Sequence, residues 1–474
     1  MVEALDRGYI PIWVHSRLLW DAALFTLPAA MVRHVTADHY ATVLPVKRWR
    51  GHTWEGFLKS ILETTPQMYV APSMAPSQPE LEDLRLEQSR LNITSRSRTS
   101  RLPWKGQFSP ELIEYLLETV CPTASRVFDP FCGSGTVLYE VAQRGGSGFG
   151  TEVNPAAWHL AALVSFCAQN PAAKLSTRNN LRTLREGLSR TSDLFSHGTS
   201  PADVLAVVHS SEHDIMLRLC VAAAVLLGMG DKPTWTTDAA LRGLIAIETL
   251  LSEIDSYSGI GICHLADARS TPLENQSIDA VITSPPYINV FNYHQNYRPA
   301  TELLGWHPLE AAQSEIGANR KFRMNRFRTA VQYCLDISQT LDEMSRVCIT
   351  GAPVLMVVGR ESNVLGAAFR NSDLIVELME HAGAFKLRRS AERVFTNRFG
   401  ARIYEDVIVA ECAGHDRIDP AFARSVGVRA LGAALATVPE KNRTTLEAAM
   451  DAAGEIEPSR LLTIHPPAAL MVSK

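Results

Sequence analysis

The 474-residue chain has no Cys-x-x-Cys pair, no apolar run of membrane length and almost no net charge. Each absence excludes a class. The eight cysteines (Cys121, Cys132, Cys167, Cys220, Cys263, Cys334, Cys348, Cys412) are scattered. That pattern predicts reduced thiols in a cytoplasmic protein, not a disulfide framework or a zinc site. His159 and His294 have no ligand-spaced partner nearby, so no metal is expected. The longest apolar stretch, near Leu219–Met229, is far short of the roughly 20 residues of a membrane span. The start, MVEALDRGYIPIW, has early acids and no uninterrupted apolar run, so no signal peptide is expected. With 50 acidic and 46 basic side chains, the net charge is −4. A surface of that balance does not coat nucleic acid or an acidic membrane as a whole, although a local basic patch is compatible with it. The 46% apolar content excludes disorder as the main state. At roughly 150 residues per domain, the length allows about two to three domains.

Residues 1–100 read as a mostly helical accessory region. Within it, LEDLRLEQSRL is a short helix and TSRSRTSR a basic connector, which puts a boundary near residue 100. From 101 the pattern turns to α/β. A helix over SPELIEYLLETV precedes the short strand Arg126-Val127-Phe128. A Gly-rich turn, the helix TVLYEVAQRG, the strand GSGFGTEV and the helix PAAWHLAALVSFCAQ follow. This β-α-β-α rhythm is that of a parallel sheet covered by helices. Residues 170–258 interrupt it with an Ala/Leu-rich helical insertion, whose apolar stripe over 203–251 reads as packing surface. Strands then recur at GICHLAD, DAVITS, APVLMVVG and YEDVIVAEC, with helices at VQYCLDISQTLDEMSRV and DLIVELMEHAG. Residues 413–474 read as a helical tail.

The turn is Asp129-Pro130-Phe131-Cys132-Gly133-Ser134-Gly135-Thr136. Glycines let backbone approach a ligand, and the helix behind supplies N–H donors. It is not a dinucleotide fingerprint, because Leu138 stands where the third glycine belongs, and no Lys-Ser/Thr follows for a phosphate loop. Asp129 suits a cationic ligand better than a phosphate. Glu152 closes the next strand, where an acid takes ribose hydroxyls.

The strand DAVIT runs into Ser284-Pro285-Pro286-Tyr287. Two prolines stiffen the loop and leave its carbonyls unpaired. Ser284 Oγ and the Pro285 carbonyl can accept from an exocyclic amine while Tyr287 stacks on a flat base.

Taken together, DPFCGSGT, GTEVNP, the Asp267 of ADAR and TSPPY resemble the S-adenosylmethionine-dependent DNA amino-methyltransferases, which modify cytosine N4 or adenine N6. The resemblance covers roughly residues 101–412. It implies a Rossmann-like class I methyltransferase sheet, here with a helical insertion (about 170–258) and helical extensions at both ends. It implies S-adenosyl-L-methionine as cofactor, with Asp129, Pro130, Phe131, Gly133, Gly135 and Thr136 at its methionine end. Glu152 and Asn154 then lie at the ribose and Asp267 by the adenine. Trp104–Pro110 resembles the family segment that packs beside the cofactor, matched at Phe108 and Pro110. Ser284, Pro285, Pro286 and Tyr287 hold the flipped base as the catalytic loop. Tyr293–Gly305 resembles a recurrent Tyr…Glu-Leu…Gly block of bacterial members. The family usually places a target-recognition domain between or after the two halves. The interval from Asp267 to Thr283 is too short for one, so the region that reads DNA sequence stays open.

Arg320, Lys321, Arg323, Arg326 and Arg328, interleaved with Phe322 and Phe327, form an acid-free run suited to DNA phosphates. Arg96, Arg98, Arg101 and Lys105 make a second basic cluster. The chain has no Pro-Cys motif, so ring-carbon methylation is not expected and Cys132 is not given a nucleophile's role. By the resemblance, serine at the head of the base loop leans toward cytosine N4. Adenine N6, guanine N2 in RNA and a non-catalytic DNA-binding subunit remain alternatives. DNA is the expected partner, with proteins of a restriction-modification or defence system beside it and no membrane.

Overall fold

The computed structural model describes residues 9–13, 41–45, 86–92, 100–189, 199–210, 213–288, 292–318, 322–381, 383–396 and 400–461. In the N-terminal region, β1 (Tyr9–Trp13) and β2 (Ala41–Pro45) form an antiparallel ladder that pairs Tyr9 with Pro45 and Trp13 with Ala41. These ten residues depart from the mostly helical expectation, which otherwise falls largely outside the described residues. Tyr-Ile-Pro-Ile-Trp and Ala-Thr-Val-Leu-Pro carry β-branched residues and prolines that a helix interior excludes. Of the helix expected at 81–91, Gln88–Leu91 is described.

The main body is the expected Rossmann-like layered α/β fold. Its strands are β3 (Arg126–Asp129), β4 (Ser147–Glu152), β5 (Ile260–Leu265), β6 (Ala280–Thr283) and β7 (Pro353–Gly359), all parallel. After the small hairpin of β8 (Ser362–Val364) and β9 (Ala367–Phe369), β10 (Phe385–Thr396) and β11 (Arg402–Cys412) complete the sheet. The order is β10-β11-β7-β6-β3-β4-β5, with β11 antiparallel to β7 and β10 antiparallel to β11. The chain runs outward through β3, β4 and β5, then returns to the centre at β6. The reversal lies between β3 and β6, where open α/β sheets bind ligands beyond their carboxyl ends. Proline-Val-Leu-Met-Val-Val-Gly in β7 is buried throughout, as a strand covered on both faces must be.

Two apolar cores flank the sheet. One gathers Leu112, Leu116, Leu138 and Phe166, and the other Tyr333, Leu341, Met344 and Ile375. The insertion is helical as expected, with helices Pro171–Ser189, Pro201–His209, Ile215–Met229 and Thr237–Ile254. Ile215–Met229 is apolar almost all round and buried, so it is core of the first cluster and not a surface site. The tail helices Pro420–Ala434 and Glu440–Asp451 also match expectation, and their apolar faces join the second cluster.

Strand β10 has no counterpart in the sequence reading. Phe-Lys-Leu-Arg-Arg-Ser-Ala-Glu-Arg-Val-Phe-Thr is too polar to announce a strand, which is how edge strands are kept from pairing with other chains. Arg388 pairs with Glu411 at 2.5 Å and Arg393 with Glu405, tying this edge to β11.

Candidate cofactor and base cleft

The glycine turn follows β3 directly. Gly133 and Gly135 have φ of +53° and +88°, a region that costs any other residue strain. A Cβ on Gly135 would stand 3.0 Å from the Ala161 Cα, so the following helix can approach the neighbouring one only with glycine there. Within the turn, the Gly135 N–H donates to the Cys132 carbonyl at 2.8 Å. Trp104 lies over Gly133, and Ser134 Oγ donates to Gln107 at 3.2 Å, which holds the 104–108 segment across the turn.

Beyond the turn opens a cleft of about 860 Å³, open solvent at its mouth included. It is fed by the carboxyl ends of β3, β4, β5 and β6, the position the strand reversal predicts. Among the residues expected there, Phe108, Pro130, Phe131, Gly133, Thr136, Glu152, Asn154, Asp267, Ser284 and Pro286 line it. The cofactor half and the base loop thus share one cavity.

Five expected residues do not line it. Pro110 is buried at the start of the helix Pro110–Thr119, and Gly135 caps the helix Thr136–Gln143. Pro285 is buried. Asp129 is 1% exposed and accepts from the Phe131 N–H at 3.0 Å and the Thr283 hydroxyl at 2.6 Å. Both donors go to Oδ1, which ties β3 to the end of β6, and burial pushes the carboxyl up to about 7. Tyr287 packs beside the cleft next to Ser284 and Tyr293 without lining it. Its hydroxyl donates to Glu405 at 3.2 Å, and its ring fills the space a Cβ on Gly359 would need, 2.6 Å from ring carbon Cε2. The ring thus packs on Gly359, and a base stacked on it is not among the contacts the structure shows.

Glu152 is central. Its Oε2 accepts from the Gly133 N–H at 3.0 Å and its Oε1 from the Asn154 N–H at 2.8 Å. Burial, reinforced by the fields of Glu315 and Asp129, outweighs these bonds and pushes its carboxyl up to about 8. Asn154 Oδ1 caps the helix Pro155–Ala162 by accepting from Ala156 and Ala157, while its Nδ2 is buried with no partner. Asp267 accepts from Arg269 Nε at 2.9 Å and Nη2 at 2.7 Å. Arg269 also donates to Asp336 at 2.8 Å and to the Ser459 carbonyl at 2.6 Å.

The sequence reading missed Tyr293, Ser314, Glu315 and Ile316, which complete the wall beside Ser284 and Pro286. Tyr293 lies in the Tyr…Glu-Leu…Gly block, which was a usable signal; nothing local marks Glu315. The cleft carries three carboxylates, Glu152, Asp267 and Glu315, against one cation, Lys105. Cys132 reaches the wall with its Sγ 3.1 Å from Cys263 Sγ, and burial pushes its thiol well up, so it is no nucleophile. Among the described residues no group of side chains could hold a metal ion, and no helix is long and apolar enough to cross a membrane.

Of the basic run, Arg320 and Lys321 lie outside the described residues. Arg323 is exposed, and Arg326 and Arg328 are half-buried at the start of the helix Arg328–Val347. Arg101 of the second cluster is engaged internally with Glu140 at 2.5 Å.

Residues 29–162 match the family model described as DNA methylase. The chain resembles the DNA amino-methyltransferases. A Type II methyltransferase, M.MjaII of Methanocaldococcus jannaschii, is 32% identical over 103 residues, 22% of this chain. The chain matches only 19% of that relative's length. The family match contains the glycine turn and Glu152 and ends before the Ser284 loop. Among solved structures, an S-adenosylmethionine-dependent methyltransferase from Methanosarcina mazei is 12% identical, with a TM-score of 0.29 over 61% of this chain and 92% of its own. The rRNA methyltransferase aviRa from Streptomyces viridochromogenes is 13% identical, with a TM-score of 0.32 over 71% and 97%. Likenesses this distant decide nothing about substrate.

Proposed function

We propose that the chain transfers a methyl group from S-adenosylmethionine to an exocyclic amine of a DNA base, cytosine N4 by preference. The observation that carries this reading is the shared cavity: a glycine turn with carboxylates on one side and Ser284 and Pro286 of the base loop on the other. The acid-rich wall fits a cofactor bearing an ammonium and a sulfonium. Its unpaired Asn154 Nδ2 fits the cofactor's acceptors. When bound, the cofactor supplies an activated methyl.

The chain's own residues bind and position. Glu152 takes the ribose hydroxyls, Asp267 sits by the adenine, and Gly133 admits the methionine end. Ser284 Oγ and the Pro285 carbonyl accept from the amine, which frees its lone pair from the ring. The rest is alignment for direct transfer. Tyr293 provides the aromatic plane of the cleft that Tyr287 does not. Arg323 and its neighbours meet the DNA backbone. Adenine presents a similar amine edge and is the second reading, since the matched family covers both bases.

Calorimetric titration with S-adenosylmethionine tests the site. The intact chain should bind, and Gly133→Val, which crowds Trp104 and strains the turn, should not. Equal binding by both, or none by the intact chain, contradicts the assignment.

A further inference from the structure

Glu315 stands in the cleft wall, 4% exposed, and belongs to no motif. His294 holds both of its oxygens. The His294 backbone N–H donates to Oε1 at 2.7 Å, and the ring Nδ1 lies 2.9 Å from Oε2 as the second donor. His294 is itself 1% exposed, and its Nε2 is buried without a partner, so the ring is committed to presenting this carboxylate. The segment is pressed onto the base loop. Gly317 has φ +69°, and a Cβ there would meet the Tyr287 carbonyl oxygen at 2.8 Å. On its other side, the field of Glu315 reaches Glu152 and adds to the rise of that carboxyl.

Glu315 therefore sits between the acid of the cofactor half and the loop of the base half. A methyl donor must be presented at that junction. Two carboxyls facing one low-dielectric cleft disfavour each other's ionised form, and a cation between them favours it. Lys105, the cationic side chain among the lining residues, is exposed at the mouth.

We propose that Glu315, presented by His294, faces the sulfonium of S-adenosylmethionine and makes the cleft favour the charged cofactor over its neutral thioether, S-adenosylhomocysteine. This rests on the cleft being the cofactor site. Both compounds carry the same ammonium, carboxylate, ribose and adenine, so their affinity ratio isolates the sulfur's charge.

The test is calorimetric titration of the full chain with each compound, in the intact protein and in Glu315→Gln. The substitution keeps shape and removes charge. It should weaken S-adenosylmethionine about tenfold more than S-adenosylhomocysteine, the scale of one charge pair in a partly solvated cleft. His294→Gln removes the ring donor and should move the ratio the same way by less; it decides the matter if Glu315→Gln melts far below the intact protein. A ratio unchanged in the variants, or equal losses for both compounds, overturns the role of Glu315. An intact chain that binds neither compound overturns the cofactor reading itself.

Discussion

The carboxylate of Glu152 closes the glycine turn, taking the Gly133 N–H at 3.0 Å on one oxygen and the Asn154 N–H at 2.8 Å on the other. The same side chain that shapes the turn also lines the cleft, so turn geometry and cofactor binding are tied through one group. Burial raises its pKa from 4.5 to about 8, and that of Asp129 from 3.8 to about 7. The folded protein then holds protons that the unfolded chain has released. For a raised pKa, the stabilisation is fully present below the unfolded value and is lost as pH climbs through the folded one. Stability of the ligand-free chain should fall from about pH 5 to about pH 8. Glu152→Gln should flatten that slope. Urea midpoints across this range check it, and a slope equal in both proteins contradicts it.

Cofactor binding should move the same proton. Ribose hydroxyls that donate to Glu152 favour its ionised form, so binding near pH 7 expels a proton. Calorimetry in phosphate and in Tris, whose ionisation heats differ, should give enthalpies that differ by the released fraction. In Glu152→Gln the difference should shrink to what remains from Asp129.

Arg269 joins Asp267 at the cleft to Asp336 and to the Ser459 carbonyl of the tail. Both carboxylates are buried. Arg269→Met should therefore cost about 3–5 kcal/mol by removing the cation that both buried carboxylates share. It should also release residues 457–461, seen as faster amide exchange there than in the intact chain.

How far the sequence predicts this molecule depends on whether the cause is local. The strand into Asp129, the two glycines and the acid ending the next strand are local features, and they fold as read. The long helices of the insertion and tail carry their own periodicity and were equally legible. Tyr287 was not, because its orientation is set by Gly359 and Glu405 on distant strands. Glu315 is placed by His294 across an irregular segment with no period to read. The polar β10 is a strand only because β11 pairs with it, and in the N-terminal ladder β1 likewise needs β2.

The exposed Arg323 offers a contact to DNA phosphate. Arg323→Ala should weaken binding to all duplexes alike and lower the slope of log affinity against log salt by about 1. A loss confined to one base sequence contradicts a backbone role.

The most direct measurement is mass spectrometry of nucleosides after incubating the purified chain with S-adenosylmethionine and mixed DNA and RNA. The account predicts N4-methylcytosine in DNA, reduced but not abolished in Ser284→Ala, where the Pro285 carbonyl still accepts. N6-methyladenine as the sole product would overturn the cytosine assignment. Methylated RNA beside unmodified DNA, or no methylated nucleoside at all, would contradict the central claim.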